Sequence, residues 1–166
     1  MWRRIPVTDL AELERRIARL EDERAISRLI ASYGPLVDAG DAQAVGDLWT
    51  VDGSYDVEGW HQMGSRDDVE TMVRSKAHQG LIANGSAHFL GPAVVTVDGD
   101  EAVAVCESAL LVRRGDTVVV ARIGANYFRL RRTEAGWQIA SRTTRGLGGS
   151  PEARELLADG VAGRVR

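Results

Sequence analysis

A phenol and two carboxylates fall within one short stretch, Ser32-Tyr-Gly-Pro-Leu-Val-Asp-Ala-Gly-Asp41, where a long amphipathic segment is about to end. Far downstream, His88 opens a strand-like run. An imidazole oriented by a carboxylate is among the commonest general bases, so Tyr33, Asp38 and His88 are candidates for a proton-transfer site. The same residues have plainer uses. Asp38 and Asp41 can serve as helix-terminal and capping residues, and His88 can be a strand histidine with satisfied hydrogen bonds. Tyr33 can be a half-buried packing residue whose hydroxyl reaches a partner.

The elements that must position these groups are read from periodicity. Thr8 can cap a helix in which Leu10, Leu13, Ile17 and Leu20 recur at spacings of three and four. The stripe then shifts to Ile26, Leu29, Ile30 and Tyr33, so the first turns are free to pack on a partner subunit or across the domain while the later ones cover the core. Pro35 is expected to kink or end the helix, because it lacks an N–H and crowds the preceding turn. On a straight helix Tyr33 and Asp38 would diverge by roughly 140°. Ala39-Gly-Asp41 reads as a C-cap followed by a new N-cap, opening a short helix from Ala42 to about Trp49.

Val51-Asp-Gly53 is expected to turn, Ser54 to Val57 to form a short strand, and Gly59 to Gly64 to form a loop carrying Trp60 and His61. A third helix opens at Ser65 and runs to about His78, with Val69, Met72 and Val73 on its apolar face. Four β-rich runs follow: His88 to Val97, Glu101 to Arg113, Thr117 to Arg132 and Trp137 to Thr144. Asp98-Gly-Asp100, Arg114-Gly-Asp116 and Thr133-Glu-Ala-Gly136 supply hairpin chemistry between them. Alternation puts Cys106, Ser108, Leu110 and Val112 on one face of the second run, and Arg122, Gly124, Asn126 and Phe128 together on the third. Three helices followed by an antiparallel meander describe an α+β domain with one concave sheet face closed by helices. Pro151 to Ala158 reads as a last short helix in a loose tail, so the chain is expected to be one domain over residues 1–166, with its core at about 9–146 and its tail at 147–166.

Composition narrows the function. With 166 residues, 44% hydrophobic and 27% charged, the chain is ordinary for one globular domain. Its net charge of -3 argues against a nucleic-acid surface. Cys106 is the only cysteine, which excludes a disulfide framework and a thiolate metal cluster and suits a reducing compartment. Neither a secretory leader nor an apolar run of membrane-spanning length is evident, so the cytoplasm is the expected location and no membrane contact is expected. The spacing of the histidines matches no common metal-ligand pattern, so no metal is expected, and no cofactor is assigned.

The order Tyr33-x4-Asp38-x2-Asp41, Leu48-Trp49-x2-Asp52-Gly53, His88-Phe89 and Gly136-Trp137-x-Ile139 resembles the nuclear transport factor 2-like superfamily, in particular its SnoaL-like branch, over about Leu13 to Arg145. The resemblance implies a cone-shaped α+β barrel, a curved antiparallel sheet closed by N-terminal helices, and a homodimer or higher homo-oligomer built on the open sheet. The pattern is most similar to the group of scytalone dehydratase, hexachlorocyclohexane dehydrochlorinase and bile-acid 7α-dehydratase. What these imply is a His–Asp pair in an apolar cavity that removes a proton while a leaving group departs, with Asp38 and His88 on the positions of the pair. Tyr33 matches the helix tyrosine of the bile-acid enzyme, and Asn126 the pocket asparagine of scytalone dehydratase. Val57 and Val112 stand where scytalone dehydratase has a tyrosine and a histidine, and near Leu110 the bile-acid enzyme has an aspartate, so a more apolar cavity is implied here.

Around the pair, Trp49, Tyr55 and Trp60 can form an aromatic pocket wall, although Trp49 can equally be core. Leu110, Val112 and Asn126 are assigned to the substrate site, and Arg142, like Arg145, can bind an anionic substrate or lie in solvent. His61 and His78 are expected in loops or facing solvent, Trp137 is expected to be structural, and Cys106 a small buried hydrophobe. Two classes of function remain. One is a cofactor-independent lyase or isomerase acting on a small hydrophobic substrate, with dehydration preferred over isomerisation or cyclisation; the other is a ligand-binding or dimerisation module.

Overall fold

In the computed structural model, residues 10–59 and 61–166 are described, and of His61 only the backbone. Thr8 and Trp60, given a cap and a pocket role above, lie outside them. The first helix, α1 (Leu10–Ala39), continues through Pro35 instead of ending there. The residue before a proline is normally driven out of the helical region by a clash between its Cβ and the proline ring. Here that residue is Gly34, which has no Cβ. The helix ends where Gly40 adopts a positive φ, and the Gly40 and Asp41 N–H groups turn back onto the carbonyls of Val37 and Leu36 at 3.2 Å each. Asp41 then caps α2 (Ala42–Gly46) by accepting from the Ala44 N–H at 3.0 Å.

The short helix stops before Trp49, which instead begins β1 (Trp49–Val57). Val51 to Gly53 is therefore an irregularity inside a strand and not a turn, with the register slipping between Trp49 and Ser54. The expected loop carries a short strand, β2 (His61–Met63). The expected single third helix is two: α3 (Arg66–Arg74) and α4 (Lys76–Asn84). Ser75 separates them, because its extended backbone and its hydroxyl, which accepts the His78 N–H at 3.2 Å, begin a new helix.

The first β-rich run divides into β3 (Ser86–Leu90) and β4 (Val94–Asp98), since Pro92 cannot donate to a ladder. Then follow β5 (Glu101–Arg114), β6 (Thr117–Thr133) and β7 (Gly136–Gly146). The sheet of the described residues runs β2-β1-β7-β6-β5-β3, with β4 also on β5. It is α+β as expected, but open, not closed into a barrel, and mixed, not antiparallel, because β1 runs parallel to β7.

The helices cover one face of this sheet. Ile26, Ile30, Tyr33 and Val37 of α1 pack with Ala104, Cys106, Phe128, Leu130 and Ile139 of the strands in the main core. Asp22 fastens the helix to the far end of β6 by a two-point ion pair with Arg132 at 2.7 and 2.9 Å and by the Trp137 indole N–H at 2.9 Å. A last helix, α5 (Pro151–Val161), covers the other face of the sheet, burying Ala153 and Leu156 with Val103, Ala125 and Tyr127. The tail beyond it is not loose: the Tyr127 hydroxyl donates to the Arg164 carbonyl at 2.6 Å. Leu10, Leu13, Ile17 and Leu20 remain exposed, outside the core clusters of the described residues. No described helix is long and apolar enough to cross a membrane.

Gly34 marks the tightest crossing of helix and sheet, where a Cβ would run into the carbonyl oxygen of His88. Gly34→Ala is expected to cost about 1–3 kcal/mol in urea unfolding, the usual range for overpacking. A loss below about 0.5 kcal/mol, the usual scale of neutral surface changes, would mean that the helix and strand separate freely.

Candidate active site

Backbone contact at Gly34 carries Asp38, one turn further along α1, to the start of β3. There the Asp38 carboxylate forks. Its Oδ2 accepts the backbone N–H of His88 at 2.7 Å, and its Oδ1 lies 2.7 Å from His88 Nδ1. A carboxylate oxygen at that distance holds the proton on Nδ1 and leaves the Nε2 lone pair free. The Ser86 hydroxyl adds a longer bond to Oδ1 at 3.5 Å.

His88 faces a cavity of about 230 Å³ whose wall includes Tyr33, Tyr55, His78, Ser108, Leu110 and Arg142. Burial is the main cause that lowers the pKa of His88 below the ordinary 6.5. The hydrogen bond and charge of Asp38 oppose this, and His78 and Arg142 reinforce it. The imidazole is therefore neutral near pH 7, the form that accepts a proton.

Tyr33 and Asp38 do point to different sides of α1, as the helical angle requires. His88 bridges the divergence: bonded to Asp38, its ring lies edge-on to Tyr33 at 6.4 Å. Burial, and next the neighbouring Tyr55, push the Tyr33 phenol well above its usual range, with Arg142 opposing. Tyr33 is thus a protonated donor.

Arg142 is buried at 3% exposure, not solvated. Its guanidinium lies over the rings of Tyr33 (4.3 Å), Tyr55 (4.5 Å) and Phe128 (5.2 Å), an arrangement in which π faces stabilise the cation. Its Nη2 donates to Asn126 Oδ1 at 2.7 Å. Asn126 is accordingly not a wall residue: it is fully buried behind Arg142, its oxygen also accepting from Thr144 at 2.8 Å and its nitrogen donating to Ser108 at 2.9 Å. Its role is to hold the arginine.

Trp49 is also absent from the wall; it is core, edge-on to Tyr33 at 5.7 Å. Val112 lies past the irregularity between Leu110 and Leu111, in a neighbouring groove with Lys76 and Arg113. Cys106 is buried and its thiol pushed up to about 11, chiefly by desolvation, so it is no nucleophile at neutral pH.

His78, expected in solvent, is buried in the wall. Its Nε2 donates to the Val37 carbonyl at 2.9 Å, and its ring centroid lies 5.6 Å from that of His88. The signal was present as Ser75-x-x-His78, an N-cap three residues ahead of a histidine, but it is legible only if α3 is known to stop at Arg74.

A SnoaL-like domain model matches residues 18–143. A nuclear transport factor 2-like protein with a cystatin-like fold from Novosphingobium aromaticivorans is 43% identical; the match covers 92% of this chain and 99% of that one, with a TM-score of 0.89. An aspartate-to-asparagine variant of a Mycobacterium tuberculosis protein of unknown function is 22% identical over 95% of this chain and 89% of that one, with a TM-score of 0.70. A Novosphingobium aromaticivorans protein provisionally named as a scytalone dehydratase is 16% identical over 77% of this chain and 85% of that one, with a TM-score of 0.65. The last two likenesses carry the fold alone. No curated protein matches the chain. With the model matched across most of its length, the chain belongs to the SnoaL-like domain family of the nuclear transport factor 2-like superfamily.

Proposed function

We propose that the chain is a lyase or isomerase of the dehydratase type, in which the Asp38–His88 pair removes a proton from a small molecule. The observation that carries this reading is the forked carboxylate: Asp38 engages both the backbone N–H and Nδ1 of His88, at 2.7 Å each, beside a cavity. A binding module has no need of an imidazole with its tautomer fixed and its pKa held below 6.5. In the proposed step His88 Nε2 takes a proton from carbon next to a carbonyl, and the C–H electron pair moves onto the carbonyl oxygen as an enolate. Tyr33 donates a hydrogen bond to that oxygen. Collapse of the enolate expels a β-hydroxyl group, which leaves as water with the proton held by His88. Returning that proton to a different carbon would instead complete an isomerisation.

The cavity limits the substrate. About 150 Å³ suffices for benzene in a protein interior, so 230 Å³ suits one substituted ring rather than a polycycle. The reading also includes a homodimer through the outer sheet surface, where Phe89 of β3 and Val118, Val120 and Ile123 of β6 are exposed on the two strands that flank β5. The expected compartment remains the cytoplasm.

His88→Ala and Asp38→Asn are each expected to lower turnover of a β-hydroxy carbonyl compound by about 10²- to 10⁴-fold, the usual worth of a general base, with circular dichroism unchanged. Wild-type rates in both variants would leave a ligand-binding module. Because the neutral imidazole is the active form, kcat/KM is expected to fall as pH drops through a pKa below 6.5, and the limb should move lower still in Asp38→Asn, which removes the groups' favourable interaction with the imidazolium. An acid limb above 6.5 would contradict this assignment. By linkage the same depression makes His88 contribute stability above pH 6.5 that is lost as pH falls towards its folded value. A monomer in light scattering at micromolar concentration would refute the dimer.

A further inference from the structure

Within the cavity wall, Arg142 Nε and Nη1 stand out as the buried side-chain polar atoms that have no hydrogen-bond partner among the described residues. Buried guanidinium donors normally find an acceptor, and leaving them unmade is costly. The cation is held by π faces and by the Asn126 amide oxygen, and it forms no ion pair among the described residues. The remaining ionisable groups of the wall are His78, His88, Tyr33, Tyr55 and Arg122, so among the described residues no carboxylic acid lines it. Asp38 lies behind His88 with both oxygens engaged.

The surroundings point the same way. The adjoining groove shares Leu81, Leu110 and Ala121 with the cavity and carries Lys76, Arg113 and Arg114, again without an acidic residue. None of Lys76, Arg113, Arg114 and Arg122 forms an ion pair among the described residues, whereas nine arginines of the β-sheet, the C-terminal region, α1 and α3 are paired. In a chain with a net charge of -3, four cations without an ion pair among the described residues thus line the cavity and its adjoining groove. Such a lining attracts anions and raises their local concentration.

We infer that the substrate is an anion, a single-ring carboxylic acid bound as its carboxylate on the Arg142 guanidinium. A carboxylate is the acceptor that best answers a guanidinium, through charge-assisted hydrogen bonds. Leu81, Leu90 and Leu110 supply apolar wall for the ring. Tyr33 stands between the two polar ends, with its ring 4.3 Å from the Arg142 guanidinium carbon and 6.4 Å from the His88 ring. The carboxylate end and the carbon that loses its proton are thereby addressed by different residues. This deepens the proposed function by naming its substrate class, and it rests on the cavity being the substrate site.

The test uses benzoate and cyclohexanecarboxylate as probes, each against its neutral amide, titrated into the full chain by calorimetry. Each carboxylate is expected to bind at least about tenfold more tightly than its amide, and the preference should vanish in Arg142→Gln and persist in His88→Ala. Benzoate should also shift the Nε–H resonance of Arg142 in the wild type, a readout that needs no variant. The inference is overturned by equal binding of acid and amide, by absence of carboxylate binding up to about 10 mM, by a preference that survives in folded Arg142→Gln, or by an unmoved Arg142 resonance. Loss of the charge preference with turnover still dependent on His88 would overturn this inference alone and leave the proton-transfer reading standing.

Discussion

One carboxylate does two jobs at the junction of helix and sheet. Asp38 accepts the backbone N–H of His88 and so fastens the end of α1 to β3, and it accepts from the same residue's ring and so fixes the imidazole. The two bonds require the helix to lie almost on the strand, which the missing side chain at Gly34 permits. The glycine also lets the helix run through Pro35, so the turn that carries Asp38 keeps its helical position. Tertiary structure and the orientation of the imidazole therefore depend on the same few atoms.

The electrostatics of the cavity follow from where charge is and is not compensated. His88 gains from Asp38 but is opposed by burial, by His78 and by Arg142, and the balance keeps it neutral. Arg142 is itself stabilised by aromatic faces and an amide oxygen, so its charge is not cancelled locally by an anion. A neutral imidazole, a protonated phenol and an uncancelled cation are a combination suited to stabilising negative charge.

Much of this was legible from the chain. Asp41 as a cap, the glycine-centred hairpins, the α+β order and the pairing of Asp38 with His88 rest on local chemistry or on a resemblance whose motifs are intact. What was not legible depended on competition between local signals. Ser75 looks like one more polar residue of a helix until its hydroxyl takes the His78 N–H, and this hid a buried histidine. Pro35 reads as a stop because the rule is usually sound, and the exemption lies in its neighbour. Trp49 reads as the last turn of a helix, yet the parallel pairing with β7, a partner far off in sequence, draws it into a strand. Asn126 lies on the expected face of β6, but face alone did not reveal that Arg142 stands between it and the cavity.

The close approach at Gly34 is a contact between backbones, whereas much of the cavity wall is made of side chains from α4, β5 and β6. Positioning and selectivity are therefore mechanically separable. Substitutions at Leu81, Leu110 or Ala121 can reshape the space offered to a ligand while the imidazole keeps its place, so the scaffold can exchange one small molecule for another without rebuilding its chemical centre.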